Sequence, residues 1–239
     1  MEYQLKRFQD GLKELDICLT EEQINQFLDF YELLVERNKV VNLTAITEFE
    51  EVVEKHFLDS LSLVRTLNLN QPFRILDLGT GAGFPGIPLK IAFPQLEIVL
   101  MDSLNKRVLF LEDVITKLDL LKIRAIHGRA EEMARKSEYR EDFDLCVSRA
   151  VANLSSLSEY CLPFVKKDGL FVSYKSGDIE EEIDQAKKAI RVLGGEIDEV
   201  EKFVLAGTDI SRSFVKIKKK KRTPETYPRK AGTPAKKPL

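Results

Sequence analysis

The apolar residues of the N-terminal part of the chain recur at helical spacing. One apolar face runs through Ile24, Phe27, Leu28, Tyr31, Leu34 and Val35. This periodicity predicts an amphipathic helix, and the capping-box pattern from Thr20 to Gln23 marks its start. A second such pattern, Thr47 to Glu50, predicts another helix. We therefore predict that residues 1–70 form a helical segment packed on the rest of the protein.

From Phe73 onward, short apolar runs alternate with amphipathic stretches. The predicted strands cover residues 73–78, 97–102, 122–127, 143–148, 169–174, 196–205 and 212–218. Predicted helices between them include residues 104–117, 153–162 and 178–193. This alternation is typical of an α/β fold with a doubly wound parallel sheet. Because only residues 206–209 separate the last two strands, we predict that they close the sheet as an antiparallel pair.

The end of the chain differs in composition from the rest. Four prolines and one glycine interrupt residues 219–239, which predicts an extended tail without regular structure. We therefore divide the chain into a helical segment (1–70), an α/β domain (71–218) and a tail (219–239). The tail is also basic, because it is rich in Lys and Arg.

Composition places the chain among globular proteins. It has 239 residues, of which 44% are hydrophobic, so it can build a core and is not disordered throughout. No apolar run reaches the roughly 18–20 residues of a membrane span, and the first residues lack a secretion-signal layout. Three widely spaced cysteines (Cys18, Cys146, Cys161) argue against a disulfide framework or a zinc site. We expect a cytoplasmic protein without a metal.

The formal net charge of −2 hides an uneven distribution. From Lys216 to the end, ten Lys/Arg residues face one acid, so this stretch carries +9 and the remainder −11. A concentrated basic terminus predicts a local contact with a polyanion such as RNA phosphates. The alternative is a solvated tail that only keeps the protein soluble.

The most informative local pattern is a glycine-rich turn after the first predicted strand. Asp77 is followed by Gly79, Gly81 and Gly83 just before a predicted helix. Glycines permit a sharp turn and the close approach of a ligand to the main chain. The free N–H groups of the next helix then face that ligand. We therefore take Asp77 and the three glycines as candidate cofactor-binding residues.

Two classes of cofactor fit this turn. Residues Gly81 to Gly86 match GxGxxG, the pattern of nicotinamide-dependent oxidoreductases. The longer pattern Asp-x-Gly-x-Gly-x-Gly resembles the first motif of class I S-adenosylmethionine-dependent methyltransferases, whose Rossmann-like sheet also ends in antiparallel strands. Pro85 and Pro88 in the following helix also argue against the dinucleotide class. A methyl donor is therefore favoured over a nicotinamide.

An acidic residue, Asp102, ends the second predicted strand 23 positions after Gly79. A carboxylate at this point can accept hydrogen bonds from both ribose hydroxyls of a nucleoside cofactor. Alternatively, Asp102 caps the helix that follows. The loop after the third strand, Gly128 to Glu131, is expected to lie by the adenine.

The end of the fourth predicted strand is where an acceptor should meet the methyl group. It lacks the Asn/Asp-Pro-Pro-aromatic motif of enzymes that methylate exocyclic amines, and neither Cys146 nor Cys161 follows a proline as a cytosine-attacking nucleophile usually does. N7 of guanine needs neither device, because its lone pair is free at neutral pH. Catalysis can then depend on positioning and electrostatics, with Arg149 and Lys175 as candidate residues. His56 and His127 are expected to be structural.

Six segments spread over nearly the whole chain form a joint pattern. They are Asn42–Ile46, His56–Leu61, Asp77–Leu89, Arg129–Glu131, Ser148–Ala152 and Tyr227–Pro234. Together they resemble the small-subunit rRNA guanine-N7 methyltransferases, a family also called glucose-inhibited division protein B.

This resemblance implies that S-adenosylmethionine is the cofactor and that one guanine in the decoding-region loop of 16S rRNA is methylated. It also implies cofactor contacts at Gly79, Phe84, Ala130, Glu131 and Arg149. The expected partner is 16S rRNA or the small ribosomal subunit, with no membrane association and a monomeric protein. The alternative is a ribosome assembly factor that binds S-adenosylmethionine without turnover.

Overall fold

A seven-stranded sheet forms the centre of the protein, in a computed structural model that describes residues 3–149 and 151–239. Its strands are β1 (Arg74–Leu78), β2 (Glu97–Asp102), β3 (Ile123–His127), β4 (Phe143–Arg149), β5 (Val165–Ser176), β6 (Gly195–Val204) and β7 (Ser211–Lys219). The strand order is β3-β2-β1-β4-β5-β7-β6. Strands β1 to β5 are parallel, and β7 lies antiparallel between β5 and β6. The predicted doubly wound sheet with an antiparallel last pair is confirmed.

Helices surround this sheet and precede it along the chain. They are α1 (Lys6–Glu14), α2 (Glu21–Val41), α3 (Phe49–Val52), α4 (Asp59–Leu61), α5 (Gly86–Ala92), α6 (Asn105–Lys117), α7 (Ala130–Met133), α8 (Leu154–Cys161), α9 (Glu180–Val192) and α10 (Thr233–Lys236). A π-helical stretch, Val53–Leu58, joins α3 to α4. Within the described residues, no helix combines the length and the apolar character that a bilayer crossing needs.

The capping box at the start of α2 is confirmed. The Thr20 hydroxyl accepts from the Gln23 backbone N–H at 3.2 Å, and the Gln23 side chain accepts from the Thr20 N–H at 2.9 Å. The Gln23 amide also donates to the Ile91 carbonyl at 2.7 Å, which ties α2 to α5. The second predicted box is wrong, because α3 begins at Phe49 with Glu48 as its N-cap and no side-chain capping bond.

Aromatic side chains join the N-terminal helices to the sheet domain. Phe8 and Phe27 pack edge to face at 5.0 Å between ring centres, and Phe57 lies 5.0 Å from Phe27. Phe30 extends the cluster to Phe84 in the glycine turn, at 5.3 Å. All five rings are buried, and burying rings of this size contributes substantially to stability. The glycine turn is therefore held against the helical segment as well as the sheet.

The sheet is buried on both faces. On β4, Leu145 and Val147 belong to the core shared with the N-terminal helices, whereas Cys146 faces the core formed with α8 and α9. Central strands of a parallel sheet are expected to be covered in this way by helices. The carboxyl ends of β1, β2, β4 and β5 consequently meet at one edge of a rigid, fully packed scaffold.

The C-terminal tail is not extended as the sequence predicts. It folds back over the domain and includes α10. Arg140 donates to the carbonyls of Thr223 and Tyr227, at 2.9 and 3.1 Å, and Arg135 donates to the carbonyl of Pro228 at 2.5 Å. A proline-rich segment cannot pair its backbone in a ladder, so arginine side chains satisfy its carbonyls instead. This long-range pairing leaves no periodic signal in the sequence.

Strand β6 forms one edge of the sheet and is mostly exposed. Its charged residues are Glu196, Asp198, Glu199, Glu201 and Lys202. Lys216 on the neighbouring β7 bonds to Glu199 at 2.5 Å and lies 3.3 Å from Asp198.

Candidate active site

The glycine turn after β1 needs its glycines for backbone reasons. Gly79, Gly81 and Gly83 have φ values of +72°, +63° and +99°, a region that other residues rarely adopt. A Cβ on Gly79 would lie 2.5 Å from Cγ2 of Val151. The Gly79 N–H donates to the Met101 carbonyl of β2 at 2.8 Å, and within the turn the Gly83 N–H donates to the Thr80 carbonyl at 3.0 Å. The turn is therefore preformed.

The Asp77 carboxylate holds this turn through two hydrogen bonds. Its Oδ2 accepts from the Thr80 hydroxyl at 2.6 Å and from the Gly86 N–H at 2.8 Å. Burial nevertheless raises the pKa of the Asp77 carboxyl to about 7, and its Oδ1 has no hydrogen-bond partner among the described residues. Asp77 thus joins the turn to the start of α5, and its contact with a cofactor stays a prediction.

Asp102 at the end of β2 is buried and bonded on both oxygens. Its Oδ1 accepts from the Leu104 N–H at 2.9 Å, and its Oδ2 accepts from the Gly81 N–H at 3.0 Å and lies 3.3 Å from Nη1 of Arg107. The bond to Leu104 is not a helix cap, because α6 begins at Asn105 with Leu104 as its N-cap and has no side-chain capping bond. The bond to Gly81 links the acid to the glycine turn, and ribose binding by Asp102 stays a prediction.

A cavity of about 420 Å³, which we call the loop cavity, opens beside the turn. Its lining residues are Leu78, Gly79, Met101, Asp102, Ser103, Arg107, Gly128, Arg129, Ala130, Glu131, Val151, Tyr160, Gly232 and Ala235. The volume is in the range of small-molecule sites. Of the predicted cofactor-binding residues, four line this cavity: Gly79, Asp102, Ala130 and Glu131. The other five, Asp77, Gly81, Gly83, Phe84 and Arg149, are not among its lining residues.

Arg149 ends β4 and is held by a buried acid. Its Nη1 donates to Oδ2 of Asp59 at 2.7 Å, and its guanidinium lies 5.1 Å from the centre of the Phe84 ring. Oδ1 of Asp59 accepts from Nε of Arg212, also at 2.7 Å. One carboxylate therefore orients two arginines, so this cluster keeps a net positive charge.

His56 packs beside the same cluster. Its ring stacks on Phe84 at 4.4 Å, and its Nε2 lies 2.9 Å from the Thr44 hydroxyl. Burial, together with the neighbouring positive charge of Arg149, lowers the pKa of His56 to about 4. His56 is consequently neutral at pH 7 and adds no charge beside Arg149.

The lowered pKa of His56 predicts a pH-dependent loss of stability. Unfolding returns this pKa to about 6.5, so the unfolded chain binds a proton between pH 6.5 and pH 4 that the folded protein does not. Acidification from about pH 7.5 to pH 5 should therefore cost about 2 kcal/mol through this group. We expect His56→Gln to lose less stability over that range, measured by urea unfolding.

Asp77 changes the stability in the opposite direction as the pH falls, but it does so equally in the wild type and in His56→Gln. Its raised pKa lets the folded protein hold a proton up to about pH 7 that the unfolded chain releases near 3.8, so its contribution weakens as the pH rises. Because Asp77 is present in both proteins, its effect cancels when His56→Gln is compared with the wild type at each pH. The same pH dependence in both proteins would contradict the prediction.

A second cavity of about 490 Å³, which we call the arginine cavity, lies at the ends of β4 and β5. Its lining residues are Ile46, Lys55, His56, Asp59, Arg149, Tyr174, Lys175, Ser176, Glu182 and Arg212. Lys175 donates to Glu182 at 2.6 Å and to the Ala152 carbonyl at 2.9 Å, so its charge is balanced within the wall. Val151 borders the loop cavity and Arg149 borders the arginine cavity. Ala150 between them, part of the fifth quoted segment, lies outside the described residues.

Sequence reasoning missed Asp59 and Arg212. Asp59 appears only within the quoted segment His56–Leu61, without an assigned role. Arg212 reaches the site because β7 pairs with β5 in a register that places it opposite Ser176, and no local pattern in the sequence announces this. Within the described residues, no group of three or more His, Cys, Asp and Glu side chains is arranged to hold a metal ion.

Comparison of the sequence with known proteins identifies the family of this chain. The family model described as rRNA small subunit methyltransferase G matches residues 23–213. The chain belongs to this family. It is 55% identical over 232 residues to the ribosomal RNA small subunit methyltransferase G of Lachnoclostridium phytofermentans, covering 97% of this chain and 96% of that protein. The resemblance seen in the sequence is confirmed, and this family member is an enzyme of the methyltransferase class.

Solved structures of other proteins share the fold of this family member at low sequence identity. The ribosomal protein L11 methylase of Lactobacillus delbrueckii has a TM-score of 0.50 and 18% identity, covering 69% of this chain and 77% of that chain. The TYW2 protein of M. jannaschii, in complex with AdoMet, has a TM-score of 0.50 and 17% identity, covering 62% of this chain and 69% of that chain. These structures agree with the methyltransferase fold predicted from the glycine turn.

Proposed function

We propose that this protein transfers the methyl group of S-adenosylmethionine to N7 of one guanine in the decoding-region loop of 16S rRNA. The observation that carries the proposal is the pair of cavities on either side of the β4 end. The loop cavity has the size for a nucleoside cofactor and carries the carboxylates of Asp102 and Glu131 beside two arginines, and the arginine cavity carries oriented cations for a nucleotide acceptor. A two-substrate transfer needs this adjacency.

The loop cavity fits S-adenosylmethionine in chemistry as well as in volume. Gly79 lines the cavity with its backbone alone. A Cβ at this position would lie 2.5 Å from Cγ2 of Val151. Asp102 places a carboxylate on the wall where ribose hydroxyls would donate to it, and Ala130 and Glu131 would flank the adenine. Bound there, the cofactor supplies an electrophilic methyl group on a sulfonium and leaves as a neutral thioether. Phe84 would support this site from behind through its stacking on Arg149 and His56.

The arginine cavity would orient the target nucleotide. Arg149 and Arg212, held by Asp59, offer N–H donors to a phosphate or to guanine O6. Lys175 would position the nucleotide from the end of β5. Because N7 lies in the deep, narrow major groove of paired A-form RNA, the guanine must be unpaired or turned out of its stack to enter.

Transfer to N7 requires no general base. In the proposed transfer, the in-plane lone pair of N7 would accept the methyl group in place of the cofactor sulfur, and the positive charge would pass to the purine without movement of a proton. The residues around the acceptor therefore act by orientation and by their electrostatic field. The neutral state of His56 is compatible with this mechanism, since the proposed step asks it for no proton.

Two measurements test the proposal together. Nucleoside mass spectrometry and primer extension on rRNA from cells with and without the protein should show one 7-methylguanosine that depends on it. Isothermal titration with S-adenosylhomocysteine and with NAD should show binding of the first ligand only. Binding of S-adenosylhomocysteine with unchanged rRNA in both strains would instead favour the assembly-factor alternative.

Ion pairing within the protein limits which cations near the C-terminus would be available to bind RNA phosphates. Of the ten cations from Lys216 to the end, five are paired with acidic side chains: Lys216, Lys219, Lys220, Arg222 and Arg229. Lys219 is fully buried, and burial lowers its pKa to about 8. Phosphate contacts would therefore fall to cations without a carboxylate within 4.0 Å among the described residues: Lys218, Lys221, Lys230, Lys236 and Lys237.

Replacing Lys230, Lys236 and Lys237 together with glutamine should flatten the salt dependence of RNA binding. Each lost phosphate contact removes about 0.7 from the slope of log affinity against log salt for single strands, so the slope should fall by about 2. Fluorescence anisotropy with a decoding-loop RNA across a salt titration measures it. The control replaces Lys187, Lys188 and Arg191, exposed on α9, and should keep the wild-type slope. An unchanged slope in the tail variant would falsify the contact.

A further inference from the structure

The last residues of the chain, Thr223–Leu239, which we call the strap, reach the loop cavity. The chain crosses α8, and Gly232 and Ala235 form part of the cavity wall. The Ser156 hydroxyl on α8 donates to the carbonyl of Pro234 at 2.7 Å. The cavity is therefore bounded by the strand ends on one side and by the strap on another.

A buried ion pair holds the strap in this place. Glu159 on α8 is fully buried, and its carboxylate accepts from Nε of Arg229 at 2.9 Å, from Nη2 at 2.6 Å and from the Arg229 backbone N–H at 2.7 Å. A bidentate arginine–carboxylate pair fixes both position and orientation. Arg229 also donates to the Lys237 carbonyl at 2.8 Å, so one side chain closes the strap into a loop.

The strap is bonded to the cavity wall at Glu131. The backbone N–H of Gly232 donates to Oε1 of Glu131 at 2.9 Å, and Glu131 is itself buried. Gly232 has a φ of +79°, and a Cβ there would meet no atom within 4 Å. Oε1 of Glu131, a residue expected to lie beside the adenine, is therefore bonded to the strap.

We infer that the strap is a wall of the cofactor site over the adenosine end, and that Glu159 and Arg229 are positioning residues for cofactor binding. The inference rests on the proposed function, because it takes the loop cavity as the cofactor site. The strap contacts Glu131 in α7, which follows the edge strand β3, whereas the arginine cavity lies at the ends of β4 and β5, on the other side of β1 in the sheet. It should therefore affect recognition of the nucleoside and not of the methionine portion.

A bulky residue at Ala235 tests the wall directly. Ala235 is exposed and lines the cavity, so Ala235→Trp should leave the fold intact and change the fit of the nucleoside. We expect about tenfold weaker binding of both S-adenosylhomocysteine and 5′-methylthioadenosine by isothermal titration. The matched control is Ala231→Trp, the same substitution at an exposed strap residue that does not line the cavity, which should bind both ligands as the wild type does.

Glu159→Gln tests the positioning role. It removes the charge of the buried pair and should weaken both ligands by the same factor, about tenfold, with circular dichroism confirming the fold at the assay temperature. Glu225→Gln, the same substitution at an exposed strap acid outside the pair, should change neither affinity. If Glu159→Gln proves unstable, Ala235→Trp still decides the inference.

The outcomes separate this inference from the proposed function. If the wild type binds neither ligand, the cofactor assignment itself fails. If the wild type binds both and Ala235→Trp binds them unchanged, the strap is not a wall of the site. A loss for S-adenosylhomocysteine with none for 5′-methylthioadenosine would also overturn the inference, because the strap would then face the amino-acid end.

Discussion

Replacing Arg149 with alanine should lower the rate of methyl transfer to rRNA by at least about 100-fold. Arg149 is the cation at the β4 end, between the two cavities, and Asp59 and Phe84 fix its guanidinium. Without it, Arg212 is the one charged partner of Asp59 among residues 3–149 and 151–239, and the acceptor loses an oriented donor. Incorporation of tritiated methyl groups into small-subunit rRNA measures the effect.

Two further variants make the result interpretable. Arg149→Lys keeps the charge but not the planar fork, so it should recover only part of the activity. Arg191→Ala removes an exposed arginine from α9 and should transfer methyl groups at the wild-type rate. Because Arg149 pairs with a buried acid, thermal unfolding should accompany each assay. Activity of a folded Arg149→Ala protein within about twofold of the wild type would remove Arg149 from the site.

Changing Gly79 to alanine should weaken S-adenosylhomocysteine binding by about 100-fold. The new Cβ would lie 2.5 Å from Cγ2 of Val151, at a φ of +72°, on the wall of the loop cavity. Relief of the clash requires movement of the turn or of the β4 end, and either movement changes the cavity. Isothermal titration with S-adenosylhomocysteine provides the measurement.

Gly207 offers a matched control for backbone strain. It has the same φ of +72°, but a Cβ there would meet no atom within 4 Å, and it lies between β6 and β7, outside the loop cavity. Gly207→Ala should therefore carry a similar conformational penalty and retain wild-type affinity. Equal losses of affinity in the two variants would mean that strain alone, and not the cavity wall, explains the Gly79 result.

The sheet could be predicted because each strand carries its own local signal. The predicted strand at 97–102 coincides with β2, and the short linker at 206–209 correctly indicated an antiparallel pair. β5 was predicted at 169–174 but begins at Val165, because its first residues include the polar run Lys166 to Asp168. Local apolar patterns find buried strand centres and miss polar strand ends.

The candidate site could be predicted only where its residues are adjacent in sequence. The glycine turn and Asp102 follow from spacing along two neighbouring strands. Asp59 and Arg212 are brought together across 153 positions by the packing of the helical segment and the pairing of β7 with β5. The position of the strap could not be predicted either. It depends on the ion pair with Glu159, and helical periodicity alone does not distinguish this acid from others.

The charged face of β6 bears on how copies of the protein meet. An edge strand offers unpaired backbone groups to any similar strand, and charged side chains are a common defence against such pairing. Two β6 edges approaching each other would bring Glu196, Asp198 and Glu201 against the same acids, which Lys216 and Lys220 offset only in part. Aggregation through this edge is therefore opposed by repulsion, least effectively at high ionic strength or low pH.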